Sequence, residues 1–365
     1  MSSIKKILLF RIPVSICNFR CHYCYIGQRP VHFQGIHPEM RLDPEEFGKA
    51  FSYSRMGGTC YGNFCADGET LLTKDLDLYV KSFCEQGHYA EVVTNLSITK
   101  ALNRFLEWDK NLLKHLEFKC SFHYLWLKEH DLLETFANNV NMIWEAGASA
   151  NIEITPSDEL VPYIDEVKAF SMKHFGALPH VTIARDDRTD NIDYLTELPM
   201  QEYDSVWSQF DSEFWRFKKR IFGIKQKDVC YAGAWSYYID MVTGDATPCY
   251  CGNVFFNFYD KTNGDYPPPQ EIPIVKCPLP HCYNGHMLLT LGLIPNKYNT
   301  CYGDIRNREK IDGTHWLQPE LQSFFNTKVE ESNRIYSRVQ IYHIKTKAKV
   351  ERYKKAAKKR LKRLL

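Results

Sequence analysis

The 365-residue chain has no apolar run approaching the about 20 residues that a membrane-crossing helix needs. Near its start only residues 7–10 form an uninterrupted apolar stretch before Arg11, which excludes an ordinary secretion leader. The net charge is only +2, which excludes a generally basic nucleic-acid binder. That small value conceals a division. Residues 345–365 hold eleven Lys or Arg against the single acid Glu351, or +10, and the remainder of the chain is −8. Cysteine is what the chain has in quantity, with thirteen. In a chain this long with no leader, clustered cysteines point to free thiols in a reducing cytoplasm rather than to a disulfide framework.

Three of them stand at C-x3-C-x2-C spacing, Cys17, Cys21 and Cys24. Three thiolates on one short loop can hold three irons of a 4Fe-4S cube, leaving the fourth iron open to a small molecule. The same residues are compatible with part of a zinc site, with a thioredoxin-like pair at Cys21 and Cys24, or with apolar packing of free thiols. Tyr23 places an aromatic side chain just before the third cysteine. With that aromatic, the segment resembles the radical S-adenosylmethionine superfamily. The resemblance implies that S-adenosylmethionine chelates the open iron, and that one-electron cleavage yields a 5'-deoxyadenosyl radical able to remove hydrogen from a substrate.

From residue 4 to about 185, short β-rich runs alternate with longer helical stretches, the pattern of a parallel α/β sheet. Strands are predicted over 7–13, 61–66, 89–94, 117–122, 149–155 and 180–184, with helices near 44–54, 72–86, 100–114, 132–146 and 160–174. The resemblance implies a partial (β/α)6 TIM-like barrel with the cysteine loop after the first strand. In parallel α/β folds the ligand sits at the carboxyl ends of the strands, so those ends nominate the site. Asp67-Gly68-Glu69-Thr70 after the second strand resembles the family's G-G-E-P segment, which binds the methionyl amine, with Asp67 replacing the first glycine. A plain turn into a helix accounts for these residues equally well. Thr94-Asn95 resembles a T-N-G segment with Leu96 in place of glycine. By the same resemblance Tyr23, Asp67, Gly68, Glu69, Thr70, Asn95 and Ser121 are candidates for binding the cofactor, while His123, Glu153 and Thr155 are further polar groups at the strand ends. Arg185 is the candidate catalytic residue, acting on a substrate carboxylate or hydroxyl, with a solvated rim arginine as the alternative.

Six further cysteines lie between 230 and 301. Cys230, Gly244 and Cys249 bracket a predicted hairpin turning at residues 243–245, which brings two thiols together. The pattern resembles the opening of the SPASM and twitch extensions, which hold auxiliary iron-sulfur clusters; the closing cysteine run of a full SPASM extension is absent. By that resemblance Cys230, Cys249, Cys277 and Cys282 would hold one auxiliary 4Fe-4S cluster, with Cys251 or Cys301 able to substitute for one of them. A four-thiolate zinc site is the rival. Cys60, Cys65, Cys84 and Cys120 read as packing residues.

These readings divide the chain into a barrel (1–188), a helical bridge (189–229), a small twitch/SPASM-like cluster domain (230–305), a C-terminal segment (306–343) and a basic tail (344–365). In the tail Val350, Tyr353, Ala357, Leu361 and Leu364 recur at helical spacing amid Lys and Arg. Such a helix suits an anionic membrane surface, or is simply solvated or docked on the acidic body. The segment 281–286 with 288–295 also resembles a subgroup associated with surface-polysaccharide biosynthesis. The resemblances imply an oxidoreductase that uses a 4Fe-4S cluster, S-adenosylmethionine and an auxiliary 4Fe-4S cluster, reduced by a flavodoxin or ferredoxin. Because the sequence begins almost at the first strand, a sugar, cyclitol or glycan-related alcohol is expected as substrate before a peptide. The contrasting expectation is a zinc-stabilised binding protein without catalysis. Nucleic acid is not an expected partner. The expected location is the cytoplasm, with the tail as a peripheral contact to the inner face of the membrane.

Overall fold

The computed structural model describes residues 3–28, 39–188 and 192–361. The six predicted strands are β1 (Lys6–Ile12), β2 (Cys60–Ala66), β3 (Tyr89–Thr94), β4 (Leu116–Ser121), β5 (Ser149–Ile154) and β6 (His180–Val181). They pair in parallel and in chain order, and β6 is shorter than its pattern suggested. Helices Pro44–Ala50, Leu76–Glu85, Thr99–Leu106, Leu133–Ala146 and Ile164–Phe175 fill the connections. These are the six expected strands with the five helices expected between them.

The sheet does not stop at β1. The strand β7 (Ser236–Asp240) runs parallel to β1 and returns through a hairpin to β8 (Asp245–Thr247), which pairs with β9 (Phe256–Asn257). Gly244 makes the turn at φ +82°, and a Cβ there would lie 2.4 Å from the Tyr259 ring. Glycine is therefore required both for its backbone conformation and for the closeness of that ring. One nine-stranded sheet results, carrying the cysteine-rich segment on the edge beside β1.

Alternation along the strands sorts the two faces. Leu8, Phe10, Ile12 and Phe64 pack outward with Phe47, Phe51, Val80 and Phe83 of the helices. Ile7, Leu9 and Tyr61 point inward to a second core with Tyr302, Ile305, Leu321 and Phe325. The C-terminal segment thus plugs the amino end of the barrel. Above this apolar plug the inward positions turn polar. Arg306, fully buried, donates to Glu91 on β3, to Glu117 on β4 (3.1 Å) and to Glu153 on β5. A single guanidinium meeting three successive strands shows that the sheet curves around it.

Lys119 on β4 adds a second cation, 2.9 Å from Glu153. Among the directly bonded groups three carboxylates face two cations, one excess negative charge, with Lys218 acting on Glu153 from further off. Burial, opposed by Arg306 and reinforced by Glu91 and Glu153, pushes the Glu117 carboxyl well up. Burial therefore favours the protonated form of Glu117, which leaves the directly bonded groups neutral.

Helices Met200–Ser208 and Glu213–Ile221 occupy the expected bridge, whose residues 189–191 lie outside the described ones. The tail forms helix Arg338–Leu361, with Ile341 and Ile344 against the inner core and Val339, Tyr342, Val350 and Tyr353 exposed. Leu364 of the expected stripe lies outside the described residues. Among the described residues no helix is long and apolar enough to cross a membrane.

Candidate metal and cofactor site

The loop after β1 is fastened to the ends of its neighbours. Phe19 is buried and stacks on Trp126 at 5.6 Å. The Tyr23 hydroxyl meets His123 Nδ1 at 2.7 Å, and His22 meets Glu159 at 2.7 Å. Burial beside Lys119 pushes His123 down to about 4, so the imidazole is neutral at ordinary pH. Asn95 donates to Asn18 (2.9 Å), which donates to Ser97 (2.8 Å), tying the loop to the end of β3. Cys17, Cys21 and Cys24 are half-buried along this pinned segment.

The segment following β2 provides the other wall. Glu69 N–H donates to Ile16 O at 2.8 Å, and a Cβ on Gly68 would sit 2.1 Å from that same oxygen. Only glycine admits so close a backbone approach. The buried Glu69 carboxylate accepts from Leu71 N–H (3.0 Å), Thr94 Oγ1 (2.5 Å) and Asn95 N–H (2.8 Å). It therefore joins the ends of β2 and β3. Thr70 Oγ1 accepts from Ala66 N–H (3.1 Å), capping β2. Asp67 receives two bonds from Arg11, which also reaches Asp240 on β7 at 3.3 Å. The aspartate that replaces glycine thus joins the first cysteine loop's strand to the hairpin of the second group. Ser121 ends β4, half-buried and paired in register with Glu153. The Glu153 carboxylate is itself engaged by Lys119 and Arg306.

The second cysteine group is gathered by two short pairings. Residue 275 pairs with Cys230 in an antiparallel ladder, placing Cys277 beside Cys230. The β7–β8 hairpin delivers Cys249. Cys230 lies within electrostatic range of Cys251 and Cys277, Cys249 within range of all three, and Cys282 within range of Cys230, Cys249 and Cys277. Cys301 stands apart, with its charge environment set by Lys328, Asp304 and Glu331. Cys251 is therefore the nearer substitute for an assigned ligand. Cys60, Cys84 and Cys120 are buried core residues, while Cys65 is half-buried at the mouth.

Both groups have the donors that iron-sulfur sites use to stabilise sulfur charge. The Phe19 N–H points at Cys17 Sγ (3.4 Å), and the N–H groups of Ala232, Tyr250 and Asn284 act on Cys230, Cys249 and Cys282 in the same sense. Burial opposes them, pushing Cys17 up to about 11 and Cys21 and Cys230 up to about 12. These thiols are protonated unless a metal draws off the proton. Among the described residues no three His, Cys, Asp or Glu side chains converge closely enough for a single metal ion. A cube separates its thiolates more widely than a single ion does, and thiols with N–H donors directed at them are the kind of residue such a group uses.

The groups share one mouth. Tyr25, next to Cys24, carries the Arg185 guanidinium on its ring at 3.8 Å, and Arg185 pairs with Asp187 at 3.0 Å. A cleft beside it is lined by Ile183, Arg185, Lys218, Phe222, Cys282 and Tyr283. Sequence reasoning missed Lys119 and Lys218. A charged residue inside a parallel strand that should be apolar on both faces signals Lys119; Lys218 has no such signal.

No family profile matches the chain, and no curated protein matches it. Among solved structures, it is similar to SuiB of Streptococcus suis bound to S-adenosylmethionine, at 13% identity and TM-score 0.45, over 71% of this chain and 62% of that one. It is also similar to native anSMEcpe with bound AdoMet, at 16% identity and TM-score 0.47, over 70% and 79%. A third is BtrN in complex with AdoMet and 2-DOIA, at 15% identity and TM-score 0.29, over 71% and 76%. The chain thus spans less than two thirds of the length of SuiB.

Proposed function

We propose that the chain is a radical S-adenosylmethionine oxidoreductase. The observation that carries this reading is the meeting of a C-x3-C-x2-C loop, pinned at the carboxyl ends of β2, β3 and β4, with a second cysteine group at the same mouth. Cys17, Cys21 and Cys24 would hold one 4Fe-4S cluster, and Cys230, Cys249, Cys277 and Cys282 another. Gly68, Glu69, Asn95 and Ser121 with their neighbours would hold S-adenosylmethionine. When bound, these groups supply a 5'-deoxyadenosyl radical that takes a hydrogen atom from the substrate, and an acceptor for the electron then released.

The protein's own residues orient and enclose. Glu69 and Gly68 fix the spacing between the cysteine loop and the end of β3. The stacks of Phe19 on Trp126 and Tyr23 beside His123 cover part of the loop, while Asn18, Arg20 and His22 stay exposed. Arg185 is held by Tyr25 and Asp187 and would face the substrate. The charged mouth supports a polar, hydroxylated substrate of the sugar, cyclitol or glycan class over an apolar one. A flavodoxin or ferredoxin is the proposed electron donor. The exposed stripe Val339, Tyr342, Val350 and Tyr353 on the basic helix supports peripheral contact with an anionic membrane, to be tested by sedimentation with anionic and neutral vesicles.

Anaerobic reconstitution followed by iron and sulfide analysis tests the assignment. Wild type should hold roughly eight irons and the Cys17, Cys21, Cys24 triple alanine variant roughly four. Zinc without iron in both would replace this reading with that of a zinc-stabilised binding protein.

A further inference from the structure

The helix Glu213–Ile221 places Lys218 in the cleft lined by Arg185 and by Cys282 of the second cysteine group. Among the described residues its ammonium has no hydrogen-bond acceptor and no carboxylate within salt-bridge distance; it lies over the Phe214 ring at 5.4 Å and within electrostatic range of Glu153 and Cys282. The other charges facing it are accounted for. Lys119 is bound by Glu153, Glu153 is shared with Arg306, and Arg185 is paired with Asp187. Lys218 and Arg185 thus line one cleft with Lys119 acting on Lys218 from behind it, and two carboxylates, one of them shared with a fourth cation, answer them. Burial beside Lys119 and Arg185 pushes Lys218 down to about 7, and an anion seated against it would hold its proton in place.

The second wall makes the position informative. Cys282 and Tyr283 line the same cleft, while Arg185 rests on Tyr25, the residue after Cys24. An anion held by Lys218 and the outer edge of Arg185 would hang between the two groups of thiols. We propose that this cleft binds the anionic group, a phosphate or a carboxylate, of the molecule on which the chain acts. That the anion belongs to the substrate rests on the radical reading above; that the cleft binds an anion does not.

The binding test is run on the full-length protein as isolated anaerobically, at constant ionic strength, with inorganic phosphate and succinate as separate probes. Each is followed by its shift of the thermal midpoint. A saturable shift in wild type is expected for the probe whose chemistry fits. K218Q should weaken that probe at least about tenfold, one charge-assisted hydrogen bond being lost. K218R should retain binding, and K74Q, at an exposed lysine far from the cleft, should leave it unchanged. No saturable shift with either probe, or equal shifts in wild type and K218Q, overturns the proposal. So does loss of iron from K218Q with probe binding intact, because Lys218 would then be the counter-charge of the second cluster. Anion binding that depends on Lys218 in a protein that takes up no iron would uphold the cleft and refute the radical reading.

Discussion

Replacing Arg306 by methionine should destabilise the fold by an amount that grows with pH. Arg306 is fully buried and donates to Glu91, Glu117 and Glu153, with Lys119 as the other cation directly bonded to them among the described residues. With Glu117 protonated the charges cancel; without Arg306 one excess carboxylate remains, and a second proton must be taken up. A glutamate of ordinary pKa 4.5 takes a proton at about pH 7 at a cost of about 3.4 kcal/mol, at 1.36 kcal/mol per unit. This lies within the roughly 3–5 kcal/mol found when one member of a buried ion pair is removed. The cost falls to about 2 kcal/mol near pH 6 and rises to about 5 near pH 8. Urea unfolding followed by circular dichroism at these three pH values measures it. A loss below about 1 kcal/mol, or one independent of pH, would refute the charge balance assigned to the barrel interior.

Other perturbations follow from the same contacts. Glu117→Gln should change stability by less than about 1 kcal/mol near pH 7, since glutamine imitates the protonated acid; a loss of several kcal/mol would show Glu117 to be ionised. Gly68→Ala must displace the cysteine loop, because its Cβ would lie 2.1 Å from Ile16 O. It should lower iron bound at Cys17, Cys21 and Cys24 while leaving iron at the second group, and unchanged total iron would contradict the role given to that approach. Glu69→Gln sets an amide N–H against the donors of Leu71, Thr94 or Asn95, costing about 1–3 kcal/mol in urea unfolding.

Buried His88 accepts from Cys60 N–H and meets Phe51 O, and burial holds it down to about 4 from an ordinary 6.5. The unfolded chain binds this proton first. The contribution is therefore complete above about pH 6.5 and is lost toward pH 4, about 3 kcal/mol in all. His88→Gln should flatten that part of the stability–pH curve, and an unchanged slope would count against it.

The barrel strands were legible because their apolar runs are short and separated by longer helical stretches. The cysteine loop and the hairpin at Gly244 were legible because both are local, set by a few consecutive residues. The ionic interior was not. Its members come from β3, β4, β5 and the loop at Arg306, and Arg306 lies 153 residues beyond Glu153 and 215 beyond Glu91. No local pattern in a single sequence announces a pairing over that distance. The extension of the sheet through β7 was hidden for the same reason: residues 236–240 read as one arm of a hairpin, and their parallel pairing with β1 depends on tertiary packing. Lys218 shows the remaining limit, because its importance comes from what does not face it.

The central claim is that Cys17, Cys21 and Cys24 support reductive cleavage of S-adenosylmethionine. Its most direct test is the formation of 5'-deoxyadenosine by the reconstituted protein under anaerobic reduction. The wild type should form 5'-deoxyadenosine, and a variant with Cys17, Cys21 and Cys24 replaced by alanine should form none above the rate without protein. Equal formation by both, or none by a wild type carrying its full iron, would contradict the account.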